Sequence, residues 1–324
     1  MKGIIVPVAI ALLCGLAGCN SAENPAKENI VMQEKSALSA ENEYAGAEQN
    51  TEGKAPESAD GSVNEPQRES LPDQMICKEG TTLRTRIRVP EGYTRTEKEA
   101  DSLAEFLRNY TLKEDGSEVL LYDGSPKGNQ NAHVAVFALP LEEYDLQQCA
   151  DSVMRMYAEY YWSLGQYDKI AFHFTNGFLT EYSRWRQGYR INVEGNDASW
   201  VESASYDDSY ECFVKYMKIV FNYAGTLSME SEARQIEPEQ IDVGDVFLNG
   251  GSPGHVVMVV DVCEDANGRK AFLLAQGYMP AQEFHVLKNN RHTDDPWYYE
   301  EEVTYPFETP EYIFREGALK RLSY

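Results

Sequence analysis

The 324-residue sequence is short of positive charge: 29 Lys and Arg stand against 53 Asp and Glu, giving a formal charge of −24. Nucleic-acid binding needs Lys and Arg gathered on one face to neutralise phosphates, so a chain this acidic carries no footprint for DNA or RNA. Acidity spread over the whole length favours solubility instead. Beyond residue 16 no segment is apolar over the roughly 20 residues that a membrane-spanning helix requires. No period of 20 to 50 residues recurs, which excludes a solenoid or a propeller. The six cysteines include no CxxC pair and no Cys/His cluster, so the spacing expected of a structural zinc site is missing.

What is present begins with Met1-Lys2-Gly3 and an apolar run over residues 4–16, a charged start followed by a stretch of signal-peptide length. The run closes with Leu16-Ala17-Gly18-Cys19, which resembles the lipobox read by bacterial signal peptidase before a diacylglycerol is attached to the cysteine. That resemblance implies a signal peptide over residues 1–18 and a mature chain that starts at Cys19. Such a chain is anchored to a membrane by lipid rather than spanning it, in the cell envelope on the extracytoplasmic side, periplasm or cell surface. Residues 19–75 are rich in Glu, Ala, Ser, Asn, Gly and Pro and nearly free of aromatics, too polar to offset their ordering entropy, and are expected to be a disordered acidic tether. Residues 76–324 suffice for one α+β domain with a sizeable core and an insertion at about 165–205. In an oxidising compartment Cys77, Cys149, Cys212 and Cys263 allow two disulfides in three pairings.

Within the domain, apolar spacing predicts a helix over 96–110, and alternation predicts strands over 118–122 and 132–139, joined as a hairpin across 127–130. Asp145 with Gln148 three residues on is a capping-box signal that places Cys149 in the first turn of a helix. A second helix is predicted from 207–209 to Gly225, with Cys212 in its first turn. Residues 170–200 show no clean period and read as an insertion or surface loops. Three strands follow, over 244–248, 255–262 and 271–278, the last two joined by the hairpin turn Asn267-Gly268.

A cysteine at a helix N-terminus, followed by a meander with a histidine opening one strand, is an arrangement for nucleophilic catalysis. Backbone N–H groups and the helix dipole are expected to favour the thiolate at Cys149. His255 would exchange the proton, and Gln276 on the next strand would orient the imidazole through its amide oxygen. Cys212 is the alternative nucleophile. Gln148 is a candidate oxyanion donor that also has a use in the cap. His285 reads as an exposed position, Cys263 as structural, and His133, His173 and His292 lack a catalytic setting.

Gly244-Asp245-Val246-Phe247 followed by Gly254-His255-Val256-Val257 resembles the signature of the CHAP amidases and the NlpC-type peptidoglycan peptidases, and Gly195-Asn196 with Trp200 resembles the CHAP pattern. That resemblance implies a papain-like α+β fold and a cysteine-dependent amidase or peptidase acting on peptidoglycan, with neither metal nor organic cofactor required. Over residues 90–315 the chain is also similar to a family of bacterial lipoproteins catalogued only as a domain of unknown function. Leu146-Gln147-Gln148-Cys149-Ala150-Asp151, Gly251-Ser252-Pro253-Gly254-His255 and Ala275-Gln276-Gly277-Tyr278 are among the residues that carry this likeness. The competing class is a non-catalytic module that binds an envelope glycan or protein partner through aromatics around Trp185, Tyr189 and Trp200.

Overall fold

The run Val256-Val257-Met258-Val259-Val260-Asp261-Val262 is dominated by β-branched side chains and contains neither glycine nor proline, a composition that fits a pleated surface far better than a helix. In the computed structural model, whose described residues are 75–324, it forms the middle of an eleven-residue strand. Around it are the helices α1 (Leu83–Arg86), α2 (Leu103–Arg108), α3 (Cys149–Ser163), α4 (Tyr182–Arg186), α5 (Tyr210–Tyr223) and α6 (Thr226–Ser231). The strands are β1 (Tyr93–Arg95), β2 (His133–Val136), β3 (Ala171–His173), β4 (Leu179–Glu181), β5 (Tyr189–Glu194), β6 (Asp197–Glu202), β7 (Ala233–Gln235), β8 (Val246–Asn249), β9 (His255–Asp265), β10 (Lys270–Gln276), β11 (His285–Leu287), β12 (Tyr298–Tyr299), β13 (Phe307–Glu308), β14 (Ile313–Phe314) and β15 (Leu319–Leu322). The signal peptide, Cys19 and the tether lie outside the described residues, save Met75 at its end.

Nine strands make the main sheet, in the order β2-β11-β10-β9-β8-β15-β7, with β1 added beside β9 and β12 beside β10. Its strands pair antiparallel. Because successive side chains of a strand point to opposite faces, β9 feeds two cores. Val256, Met258 and Val260 join the side chains of α3 and α5 on one face. Val257 and Val259 join Phe272, Phe307 and Phe314 on the other. A shift of register opposite Leu273 and Leu274 interrupts the β9–β10 ladder. Asp261 is fully buried there and accepts from Arg95 Nε and Arg108 Nε, each at 2.6 Å, pinning β1 and α2 to the sheet.

Several expectations need correction. Residues 118–122 and 132–139 do not form a hairpin. Instead β2 pairs with β11, and Leu120 and Leu121 make single bridges to Pro126 and Gln282. The Gln130 side chain takes the place of a partner strand, accepting from Val119 N at 3.0 Å and donating to Val119 O at 2.9 Å. The helix expected from residue 96 starts only at Leu103, capped by Ser102 Oγ, because the Thr96 amide is engaged with Val262 O. Residues 170–200 are ordered as the hairpins β3–β4 and β5–β6 on either side of α4, a set of short elements whose lengths are below what periodicity can register. Cys77, Cys149, Cys212 and Cys263 are all free thiols, each carried on a different part of the fold.

Candidate functional site

The site is assembled where the entrance of α3 meets the ends of β9 and β10. Cys149 is the first residue of α3 and Gln148 is its N-cap, the Gln148 amide donating to Asp151 Oδ2 at 3.0 Å. Asp145 is therefore not the cap. Its Oδ1 accepts from Gln148 Nε2 at 2.9 Å and from Ala281 N at 2.7 Å, which ties the approach to α3 to the segment beyond β10. This also commits the Gln148 side-chain amide, so the protein's own Asp145 already uses the group considered as an oxyanion donor. Gly277 makes the close approach possible: a Cβ there would collide with Ser152 Oγ and come within 2.9 Å of Gln148 O. With no side chain at this position, the helix N-terminus rests directly on the end of β10.

The Cys149 sulfur lies against the backbone amides of Ala150 and Val256, so the residue after His255 touches the thiol's surroundings. Those amides lower its pKa, as the helix-end argument expects. Burial outweighs them, and with the nearby Asp151 charge it pushes the thiol up to about 12. His255 is 2% exposed, its ring 4.6 Å from that of Tyr278 and 4.8 Å from that of Tyr312, centroid to centroid. Burial pushes this imidazole down to about 4. At neutral pH the resting pair is thus a neutral thiol and a neutral imidazole, not the acidified sulfur expected from the sequence.

Gln276 closes β10 with its side chain fully buried, and its Oε1 lies 2.8 Å from His255 Nε2. A carbonyl oxygen only accepts, so Nε2 carries the hydrogen and Nδ1 keeps a lone pair. The other end of the same amide donates to Glu311 Oε2 at 2.7 Å and faces His285 Nε2 at 3.4 Å. His285 is not exposed. It is fully buried, because it is the register partner of Gln276 on β11 and lies inside the sheet. Lys127, also buried, pairs with Glu311 and sits 3.3 Å from His285 Nε2. Burial pushes the Glu311 carboxyl up, and the hydrogen-bonded Lys127 ammonium, with His285 beside it, more than offsets this and holds it near 2. Glu311 and Tyr312 both occupy the tip between β13 and β14. Sequence reasoning missed Lys127, Glu311 and Tyr312. The one available signal was a carboxylate set among Phe307, Tyr312 and Phe314.

Other candidates fall elsewhere. Cys212 is buried on α5, its amide donating to Ser209 Oγ at 3.1 Å, and burial raises its pKa. The groups acting on it are Asp207, Arg190, Trp185 and Lys215 rather than a histidine. Cys263 is buried in β9 beside Asp261, with its pKa raised by desolvation. His133 contacts Ser117 O, His173 contacts Glu232 and His292 contacts Glu302. Of the aromatic trio, Trp185 is buried under Arg190, while Tyr189 and Trp200 are each covered by Arg184. Among the described residues no group of three or more His, Cys, Asp or Glu is placed to hold a metal ion, and no helix is long and apolar enough to cross a membrane.

Fold and site together define an α+β protein with a mostly antiparallel sheet and a buried histidine–glutamine pair, near the N-terminus of the helix that begins with Cys149. The chain belongs to the family described as Domain of unknown function (4846), which matches residues 83–321. Neither a curated protein nor a solved structure matches it.

Proposed function

We propose that this is a lipid-anchored, extracytoplasmic cysteine hydrolase with a papain-like arrangement, cleaving an amide or peptide bond of the cell wall. The observation that carries the reading is the contact of Gln276 Oε1 with His255 Nε2, which leaves the Nδ1 lone pair as a base on a ring whose neighbour, Val256, abuts the Cys149 sulfur. In the proposed reaction the thiol gives its proton to His255 Nδ1 and the thiolate attacks the carbonyl carbon. The imidazolium then protonates the leaving amine as the C–N bond breaks. Water hydrolyses the thioester, returning the acid and the free thiol. No metal or organic cofactor takes part. The lipobox-like Leu16-Ala17-Gly18-Cys19 supports the anchoring, and a tethered domain outside the cytoplasm faces peptidoglycan.

Cys149, His255 and Gln276 are all buried, so substrate entry requires the Tyr278 and Tyr312 rings to part from the imidazole. The test is incubation of the mature chain with purified peptidoglycan and with synthetic stem peptides. New amino termini detected by mass spectrometry are expected, absent in Cys149→Ala, and Cys19→Ala is expected to shift the chain from membrane to soluble fraction. Cleavage that persists in Cys149→Ala, or none on any wall-derived amide, contradicts the reading.

A further inference from the structure

Gln276 has a planar amide with two chemically opposite ends, and which end meets His255 decides the imidazole's protonation. If the oxygen faces the ring, Nε2 must carry the hydrogen; if the NH2 group faces it, Nε2 must be bare and the hydrogen moves to Nδ1. The Gln276 side chain is fully buried, so the protein groups packed around it bear directly on that choice. Two of them, Glu311 and His285, meet the far end of the amide, and Lys127 touches both.

Glu311 Oε2, 2.7 Å from Gln276 Nε2, belongs to a carboxylate and only accepts. His285 Nδ1 lies 2.8 Å from the backbone oxygen of Glu283, which also only accepts, so Nδ1 holds that ring's hydrogen and Nε2 is a bare acceptor. Lys127 Nζ, a donor only, approaches the same Nε2 at 3.3 Å and agrees with this assignment. The nitrogen end of the amide therefore meets an acceptor in Glu311 Oε2 and lies at longer range from His285 Nε2, whose one lone pair it shares with Lys127. Turning it over would set its carbonyl oxygen against a carboxylate and a ring lone pair.

We infer that Glu311, supported by Lys127 and His285, is a positioning residue: it fixes the orientation of the Gln276 amide and through it the tautomer of His255, keeping Nδ1 free to accept a proton. The inference rests on the proposed role of His255 as the base, yet the tautomer is measurable without any substrate. Two-bond 1H–15N correlation spectra of the full chain at neutral pH are expected to show His255 neutral, with Nε2 protonated and Nδ1 bare. Glu311→Gln keeps an acceptor oxygen and is expected to leave this unchanged. Glu311→Ala removes it, and the Nδ1-protonated form is expected to rise at least tenfold. A role in stability alone would lower the melting temperature of Glu311→Ala without moving the tautomer.

The unaltered chain also gives a reading that needs no variant to fold: both side-chain amide hydrogens of Gln276 exchange slowly with solvent. His255 protonated on Nδ1 in the unaltered chain, fast exchange at Gln276, or a Glu311→Ala spectrum identical to that of the unaltered chain each overturns the inference. A correct tautomer in a chain that cleaves no amide leaves the inference standing and removes the hydrolase reading instead.

Discussion

At the residue scale, the state of Cys149 is decided by a contest between two effects of its position. The first turn of a helix offers backbone donors that favour a thiolate, and desolvation by the surrounding core disfavours it; here desolvation wins. In the proposed reaction the thiolate is made by proton transfer to His255, and the aromatic rings close to that imidazole are expected to govern reagent access. Tyr312 packs on His255 at 4.8 Å and on Phe314 at 4.9 Å, aromatic contacts worth about 1 kcal/mol each. Tyr312→Ala is expected to raise the alkylation rate of Cys149 several-fold, followed by mass spectrometry of the cysteine-bearing peptide. An unchanged rate would show that this ring does not limit access.

The element that delivers Glu311 and Tyr312 is the β13–β14 hairpin, and besides the contacts of those two residues an aromatic stack holds it to the sheet. Phe247 on β8 lies 4.1 Å from Phe307, nearly parallel, with Phe272 and Phe314 each at 6.0 Å. Phe247→Ala is expected to cost about 3 to 5 kcal/mol in urea unfolding, the range for emptying a packed aromatic site, and to speed Cys149 alkylation because the hairpin loosens. A loss under about 1 kcal/mol contradicts this account of the hairpin. Elements of this kind mark the limit of what the sequence discloses. β8, β9 and β10 were legible because their β-branched and apolar runs are long and bounded by turn residues, and α5 because Ser209 and its apolar stripe are local signals. The pairing of β2 with β11 depends on residues about 150 positions apart, and no local pattern encodes it. For the same reason Gln276 beside His255 was legible from adjacent strands, whereas Lys127 and Glu311 reach the cluster from 184 positions apart.

At the scale of the whole molecule, the buried imidazole couples the fold to pH. His255 has an ordinary pKa of 6.5 and about 4 in the folded chain, so between these values the unfolded chain binds a proton that the folded chain refuses. Stability is therefore fully present above pH 6.5 and falls as pH drops to 4, by about 3 kcal/mol for this group. Glu311 continues the loss from 4.5 down to about 2, since its pKa is lowered by folding. His255→Leu is expected to flatten the fall between pH 6.5 and 4 in urea titrations, and an unchanged slope would mean that the imidazole is not desolvated as described. The most direct test of the central claim is the site-resolved alkylation of the native chain by iodoacetamide at neutral pH. Cys149 is expected to react faster than Cys212 and Cys263, and His255→Ala to slow it to their rate. Cys149 as inert as Cys263, or indifferent to the loss of His255, would contradict that claim.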